Sequence, residues 1–195
     1  MVLPNQLTVL RIILTPIFLV LFISGEPFLI QISLFVFLIA ALTDWYDGWL
    51  ARKFNYITDW GKFMDPLADK ILTSTAFFAF VATGLVELWM VILIVFRDIV
   101  ITLLRIYADY KKITFSTSYF AKIKTFLQMF FLYYLLVIYS FSTIDYFKTN
   151  FDYLLKILLN RNLVFYSMLS VTIITVISGI TYFFENKTML KKLFK

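Results

Sequence analysis

The chain has 195 residues, of which 62% are hydrophobic and only 15% are charged, and its mean hydropathy is +0.87. This composition excludes a soluble globular protein and indicates one membrane domain, expected to comprise residues 1–195. The net charge of +6 is better explained by basic loops that face anionic lipid headgroups than by nucleic acid, so no nucleic-acid partner is expected.

The chain contains neither cysteine nor histidine. Their absence excludes disulfides, thiolate catalysis and the usual zinc ligands. Metal binding in such a chain falls to carboxylates, which suit hard cations such as Mg²⁺, Mn²⁺ or Ca²⁺.

Apolar runs separated by short polar turns predict an all-α integral membrane protein with six transmembrane helices. The first run, Leu7 to Ile23, is long enough to cross the ~30 Å hydrocarbon layer and is closed by the turn Gly25-Glu26-Pro27. The other spans are expected at 28–42 (continuing into an acidic motif), 64–82, 88–107, 120–141 and 163–184.

The connections between these spans are expected to be short. A loop is predicted from Lys53 to Lys62, a turn at Thr83-Gly84 and a loop from Asp109 to Lys112. Pro66 would then fall in the first turn of the third helix, where proline is tolerated. The mixed stretch 145–161 is expected to be an amphipathic helix in the membrane interface, with a partial seventh span as the alternative.

The distribution of basic residues predicts the orientation in the membrane. Eleven lysines and arginines lie near the span ends on the side of the acidic motif, whereas three (Lys148, Lys156 and Arg161) lie on the other side. The positive-inside rule therefore places the motif on the cytoplasmic face of a multi-pass protein of the cell membrane. Trp45, Trp49 and Trp60 flank the motif, which favours a position at headgroup depth.

Four aspartates stand close together in this apolar chain: Asp44, Asp47, Asp65 and Asp69. The i,i+3 and i,i+4 spacings put each pair on one helix face, and two packed helices would bring both pairs together. Unpaired charges at membrane depth are costly, so the group needs cations. It could bind two divalent cations, as sites that clamp phosphoryl groups do. The alternative is that these acids only cap helices or form surface salt bridges.

Three residues beside the aspartates indicate how the surroundings of the group are used. Gly48 and Ala51 are small, which leaves room for a ligand or for a neighbouring helix. Arg52 carries a planar guanidinium that suits phosphate oxygens.

The pattern D-x2-D-G-x2-A-R-x8-G-x3-D-x3-D resembles the signature of the CDP-alcohol phosphotransferases, with every spacing intact. The matching residues are Asp44, Asp47, Gly48, Ala51, Arg52, Gly61, Asp65 and Asp69.

The resemblance implies a six-helix membrane enzyme, usually a homodimer, that transfers a substituted phosphate from a CDP-linked donor to an alcohol and releases CMP. It implies that Asp44, Asp47 and Asp65 bind metal, and that Asp69 both binds metal and deprotonates the acceptor hydroxyl. The cofactor would be two Mg²⁺ or Mn²⁺ ions. Gly48, Arg52 and Thr58 would contact the cytidine diphosphate part of the donor.

Basic residues in the fourth and fifth spans predict an anionic acceptor. Arg97, Arg105, Lys122 and Lys124 are candidates for binding an acceptor phosphate, because ionisable groups at membrane depth are usually functional. Asp98 and Arg105 lie seven residues apart on one helix face, which favours a mutually neutralising pair. A purely structural salt bridge, or a topological role for the lysines, is the alternative.

These basic residues are also similar to those of one branch of the family, the bacterial phosphatidylglycerophosphate synthases. The opening Leu3-Pro4-Asn5-Gln6-Leu7-Thr8-Val9-Leu10-Arg11 is similar to theirs, and so is the run around Lys122, although Ala121 replaces a glycine. This resemblance implies transfer from CDP-diacylglycerol to sn-glycerol 3-phosphate, giving phosphatidylglycerol phosphate and CMP, in contact with membrane lipids. The alternatives are a cardiolipin synthase, a phosphatidylinositol phosphate synthase and, more remotely, a membrane transporter.

Overall fold

A computed structural model describes residues 3–54, 59–111, 113, 115 and 119–193, and this part of the chain contains helices and no strand. The all-α prediction is confirmed. The helices are α1 (Leu3–Ile23), α2 (Pro27–Phe54), α3 (Asp59–Ala82), α4 (Leu88–Tyr110), α5 (Tyr119–Ser142), α6 (Asp145–Asn150), α7 (Asp152–Leu158), α8 (Arg161–Glu185) and α9 (Lys187–Leu193).

Four stretches of the described residues are long and apolar enough to cross a membrane. They are Asn5–Ile23, Pro27–Leu50, Phe120–Ser142 and Asp152–Glu185. Helices α3 and α4 have similar lengths of 24 and 23 residues, but each is interrupted by charged residues. Of the six spans predicted, four therefore qualify on apolarity, and the other two are the charged helices.

The predicted loop from Lys53 to Lys62 is wrong at both ends. Helix α2 continues to Phe54 and α3 already begins at Asp59, while residues 55–58 lie outside the described part of the chain. The ammonium of Lys53 lies 4.4 Å from the centre of the Trp49 ring one turn earlier, a cation–π contact that favours continuing α2. Pro66 is consequently inside α3 instead of in its first turn.

The predicted turns at the two glycines are confirmed. Gly25 and Gly84 have φ angles of +78° and +74°, a left-handed conformation that side chains disfavour, and each follows the end of a long helix. The loop predicted from Asp109 begins later, because Asp109 and Tyr110 still belong to α4. The stretch 145–161 contains two short helices, α6 and α7, instead of one.

The core is built from residues of α1, α2, α3, α4, α5 and α8, and aromatic rings of α1, α3 and α5 contact one another in it. The ring of Phe22 from α1 is centred 5.1 Å from Phe80 of α3 and 5.2 Å from Tyr139 of α5. Helix α1 packs along α2 and α3, and α8 packs along α4 and α5. This packing brings the motif ends of α2 and α3 against α1.

Replacing Phe80 by alanine tests this core. Phe80 is fully buried, so we expect Phe80→Ala to destabilise the protein by about 3–5 kcal/mol. Phe78→Ala on the same helix is the matched control, because Phe78 is 39% exposed. The measurement is thermal unfolding in detergent, and equal losses for the two variants would contradict this core.

Candidate active site

The structure brings the four aspartates of the motif into one electrostatically coupled group. Asp44 of α2 interacts with Asp65 and Asp69 of α3, and Asp47 interacts with Asp44 and Asp65. The two helices contribute one pair each, as their spacings predict.

Arg11 of α1 is the cation nearest to the first pair. Its Nη1 lies 2.7 Å from Asp44 Oδ1, and its Nη2 donates a hydrogen bond of 2.7 Å to Asp47 Oδ2. The Arg11 side chain is completely buried and the Asp47 side chain is only 5% exposed, whereas that of Asp44 is 44% exposed. A buried charge must be paired, so this contact joins α1 to α2.

The second pair has partners of its own. The hydroxyl of Thr8, one turn before Arg11, donates a hydrogen bond to Asp65 Oδ1. Asp69 Oδ2 lies 3.1 Å from the ammonium of Lys70. Each carboxylate of the motif thus contacts a polar group of this chain.

The chemistry of these donors fits a hard divalent cation, since all four are carboxylates and the chain has no histidine or cysteine. Arg11 contacts a single oxygen of Asp44 and a single oxygen of Asp47. As the side chains stand, no three acidic groups among the described residues are arranged to hold a metal ion. Metal binding therefore requires at least one carboxylate of α3 to turn towards the pair that Arg11 contacts.

The residues expected to bind the donor are only partly described. Gly48 follows Asp47 directly in α2 and is half-buried. Arg52 belongs to the last turn of α2, but its side chain lies outside the described part of the structure. Thr58 lies outside the described residues altogether.

A cavity of about 400 Å³ lies between α3, α4 and α5, and its polar lining is mostly basic. The charged side chains that line it are Lys70, Arg97, Asp98, Arg105 and Lys122. Three of the four residues expected to bind an acceptor phosphate are therefore brought together here.

A second cavity of about 240 Å³ contains Asp69 in its wall. The two cavities share Lys70, Thr102 and Arg105, so the acidic motif and the basic cavity adjoin each other. This juxtaposition is the central feature of the site.

The fourth candidate, Lys124, lies behind the basic cavity. It is 1% exposed and forms a buried ion pair with Asp98, which also lies 3.1 Å from Arg97 Nη1. The predicted Asp98–Arg105 pair is wrong, because Asp98 is engaged by these two cations instead. The guanidinium of Arg105 lies 5.3 Å from the centre of the Tyr182 ring.

Helix α8 fixes the position of Arg97. Arg97 Nη2 donates a hydrogen bond of 2.9 Å to Ser178 Oγ. A Cβ added at Gly179 would lie 3.1 Å from Arg97 Cγ, so the glycine leaves the space that the arginine stem needs. Arg97, which belongs to α4, is thereby held against α8.

Sequence reasoning did not assign Thr8, Arg11 or Lys70 to the site. The available signal for Arg11 was a charge inside an otherwise apolar span, which is a functional position by default. Lys70 follows Asp69 directly, and only the packing of α3 against α4 shows that it lines both cavities.

The chain matches the model of a known protein family and is similar to several named proteins. The family model described as CDP-alcohol phosphatidyltransferase matches residues 1–173. The chain is 38% identical over 139 residues to a protein of Bacillus subtilis (strain 168), covering 65% of this chain and 72% of that protein.

Two further relatives are similar at the same level. A protein of Rickettsia typhi is 36% identical over 128 residues, which cover 66% of this chain and 72% of the Rickettsia protein. One of Salmonella paratyphi A is 38% identical over 132 residues, covering 65% and 71%. All three relatives are named CDP-diacylglycerol–glycerol-3-phosphate 3-phosphatidyltransferase.

The buried ion pair behind the basic cavity yields a stability prediction. Asp98→Ala leaves the ammonium of Lys124 buried without its carboxylate, so we expect a loss of about 3–5 kcal/mol. The control is Asp152→Ala, which breaks an exposed Asp152–Lys156 pair worth less than about 1 kcal/mol. Chemical denaturation in detergent measures both, and adding Lys124→Met to Asp98→Ala should recover part of the loss. Equal effects of the two single variants would contradict the prediction.

Proposed function

Because the chain belongs to the CDP-alcohol phosphatidyltransferase family, we propose that it transfers the phosphatidyl group of CDP-diacylglycerol to sn-glycerol 3-phosphate. The products are phosphatidylglycerol phosphate and CMP. The observation that carries this proposal is the acidic motif beside a basic cavity, which provides for a cation-dependent phosphoryl transfer and for an anionic acceptor. The names of the relatives supply the identity of donor and acceptor.

Members of this family generally use a divalent metal ion. In this chain, Asp44, Asp47, Asp65 and Asp69 would hold two such ions, Mg²⁺ or Mn²⁺. When bound, the ions neutralise charge on the donor diphosphate and polarise the acceptor hydroxyl.

The reaction needs a base that receives one proton. The acceptor hydroxyl oxygen forms a bond to the phosphorus that carries the diacylglycerol, and the bond from that phosphorus to the CMP oxygen breaks. The hydroxyl proton passes to Asp69, and CMP leaves with the electron pair of the broken bond. Asp69 lines the cavity that adjoins the basic one, which supports this role.

The acceptor phosphate is proposed to bind in the basic cavity. Arg97, Arg105 and Lys122 line it, and guanidinium groups suit phosphate oxygens. Lys70 lines it as well and links it to Asp69. Lys124 would support this group from behind by holding Asp98.

The donor is proposed to lie along the end of α2. On the family resemblance, Gly48, Arg52 and Thr58 contact its cytidine diphosphate part. Gly48 follows Asp47 directly, so a ligand beside it would lie next to the aspartates.

The protein has several apolar helices and is a multi-pass membrane protein. In a bacterial cell, the cytoplasmic (inner) membrane is the expected location. We propose that the active site faces the cytoplasm, on the strength of the positive-inside rule. A homodimer is proposed on the family resemblance alone.

An acceptor panel tests the substrate. The purified protein in detergent, given CDP-diacylglycerol and Mg²⁺ or Mn²⁺, is expected to release CMP with glycerol 3-phosphate and to stop when EDTA removes the metal. Inositol phosphate, serine, glycerol and phosphatidylglycerol serve as the competing acceptors. Release of CMP with one of these, and none with glycerol 3-phosphate, would disprove the substrate assignment.

Replacing Asp69 tests the base. Asp69→Asn keeps the size of the side chain but removes its basicity, so turnover should fall by about 10²–10⁴-fold. The control is Asp109→Asn, since Asp109 lines the same cavity but lies outside the motif. Turnover of Asp69→Asn close to that of the wild type would rule out the base assignment.

A further inference from the structure

One face of α1 is polar and buried, although the helix is otherwise largely apolar. Asn5, Thr8, Arg11 and Thr15 are all less than 9% exposed, and spacings of three and four residues place them on the same side. Helix α1 packs with this side against α2 and α3. Burying polar groups costs free energy unless they form hydrogen bonds or ion pairs. The groups that this stripe contacts therefore indicate its role.

Two residues of this stripe contact three of the four aspartates of the motif. Arg11 spans Asp44 and Asp47, and Thr8 donates to Asp65. The guanidinium holds both carboxylates at once, because Nη2 donates a hydrogen bond to Asp47 and Nη1 forms an ion pair with Asp44 without a hydrogen bond. Arg11 uses Oδ1 of Asp44 and Oδ2 of Asp47, so each carboxylate has its second oxygen outside this pairing.

We propose that Arg11 is a positioning residue of the metal site, and that it orients Asp44 and Asp47 so that their remaining oxygens bind a divalent cation. The proposal rests on the metal site of the proposed function, and it adds α1 as the element that sets the geometry of the ligands. Hydrogen-bonded groups behind metal ligands commonly have this effect.

From its positive charge alone, Arg11 would be expected to repel a divalent cation and weaken its binding. Two considerations favour orientation over repulsion. The region carries four carboxylates against the two cations Arg11 and Lys70, so it keeps a net negative charge. Without Arg11, the nearly buried Asp47 would lack its partner and turn towards another donor, so its oxygens would no longer be directed to a shared cation.

The test is the dissociation constant for Mn²⁺, measured by electron paramagnetic resonance of the free ion in the purified, detergent-solubilised full chain. Arg11→Met should weaken Mn²⁺ binding by about 10–100-fold. Arg11→Lys should give a smaller loss, because it keeps the charge but not the forked guanidinium. Thr15→Val is the matched control: Thr15 is buried on the same helix and donates to the carbonyl of Arg11 without touching an aspartate. It should bind Mn²⁺ as the wild type does.

Unchanged Mn²⁺ affinity in Arg11→Met, together with a lower unfolding temperature, would mean that Arg11 is only structural. Tighter binding would mean that it competes with the metal. Either result overturns the proposal. If Arg11→Met does not fold, the Mn²⁺ affinity of Arg11→Lys decides. A weaker affinity than that of the wild type supports the proposal, and an unchanged or tighter one overturns it.

The wild-type measurements separate this proposal from the proposed function. If the wild-type protein binds no Mn²⁺, the metal site on which both proposals depend is ruled out. A wild-type protein that binds Mn²⁺ but does not use glycerol 3-phosphate overturns the substrate assignment and leaves the role of Arg11 standing.

Discussion

Charge neutralisation inside an apolar bundle is the constraint on which the rest of this structure depends. A fully buried ionised side chain among these helices needs a partner of opposite charge. Two such groups occur in the described part of the chain. In one, Arg11 of α1 neutralises Asp44 and Asp47 of α2. In the other, Asp98 of α4 is engaged by Arg97 and by Lys124 of α5. Each group thus forms a charged contact between two helices, α1 with α2 and α4 with α5.

The acidic motif on α2 and α3 and the charged group on α4 and α5 have opposite excess charge, and Asp69 of the first lines the smaller cavity while Arg97 of the second lines the larger one. The group on α2 and α3 has more carboxylates than cations, whereas the group on α4 and α5 has more cations than carboxylates. Lys70 contacts Asp69 and lines both cavities, so it marks the boundary. An enzyme that joins an anionic acceptor to a metal-bound diphosphate needs both environments within the length of one substrate. The fold supplies them by packing α3 against α4.

Sequence reasoning could predict the features that depend on local spacing. The paired aspartates share helix faces, and the turns at Gly25 and Gly84 form where the chain needs a left-handed residue. Features that depend on partners distant in sequence were missed. Arg11 meets Asp47 across 36 positions and Arg97 meets Ser178 across 81, and no local pattern encodes either contact. Asp98 was paired with the wrong arginine because helical periodicity cannot show that Lys124 of α5 is nearer. The start of α3 was predicted at residue 64 instead of 59 because the polar composition of residues 53–62 favours a loop.

The residues of α8 that support the basic cavity lie in a different segment of the chain from the acidic motif. Its residues Ser178, Gly179 and Tyr182 hold the two arginines of the basic cavity, by a hydrogen bond, an open space and an aromatic face. All three lie beyond residue 173, where the match to the family model ends, whereas the acidic motif lies well inside it. The chemistry common to the family and the support of the basic cavity are therefore encoded in separate segments. Changes in the last turns of α8 would alter the contacts of Arg97 and Arg105, whereas the contacts of the aspartates with α1 lie elsewhere in the chain.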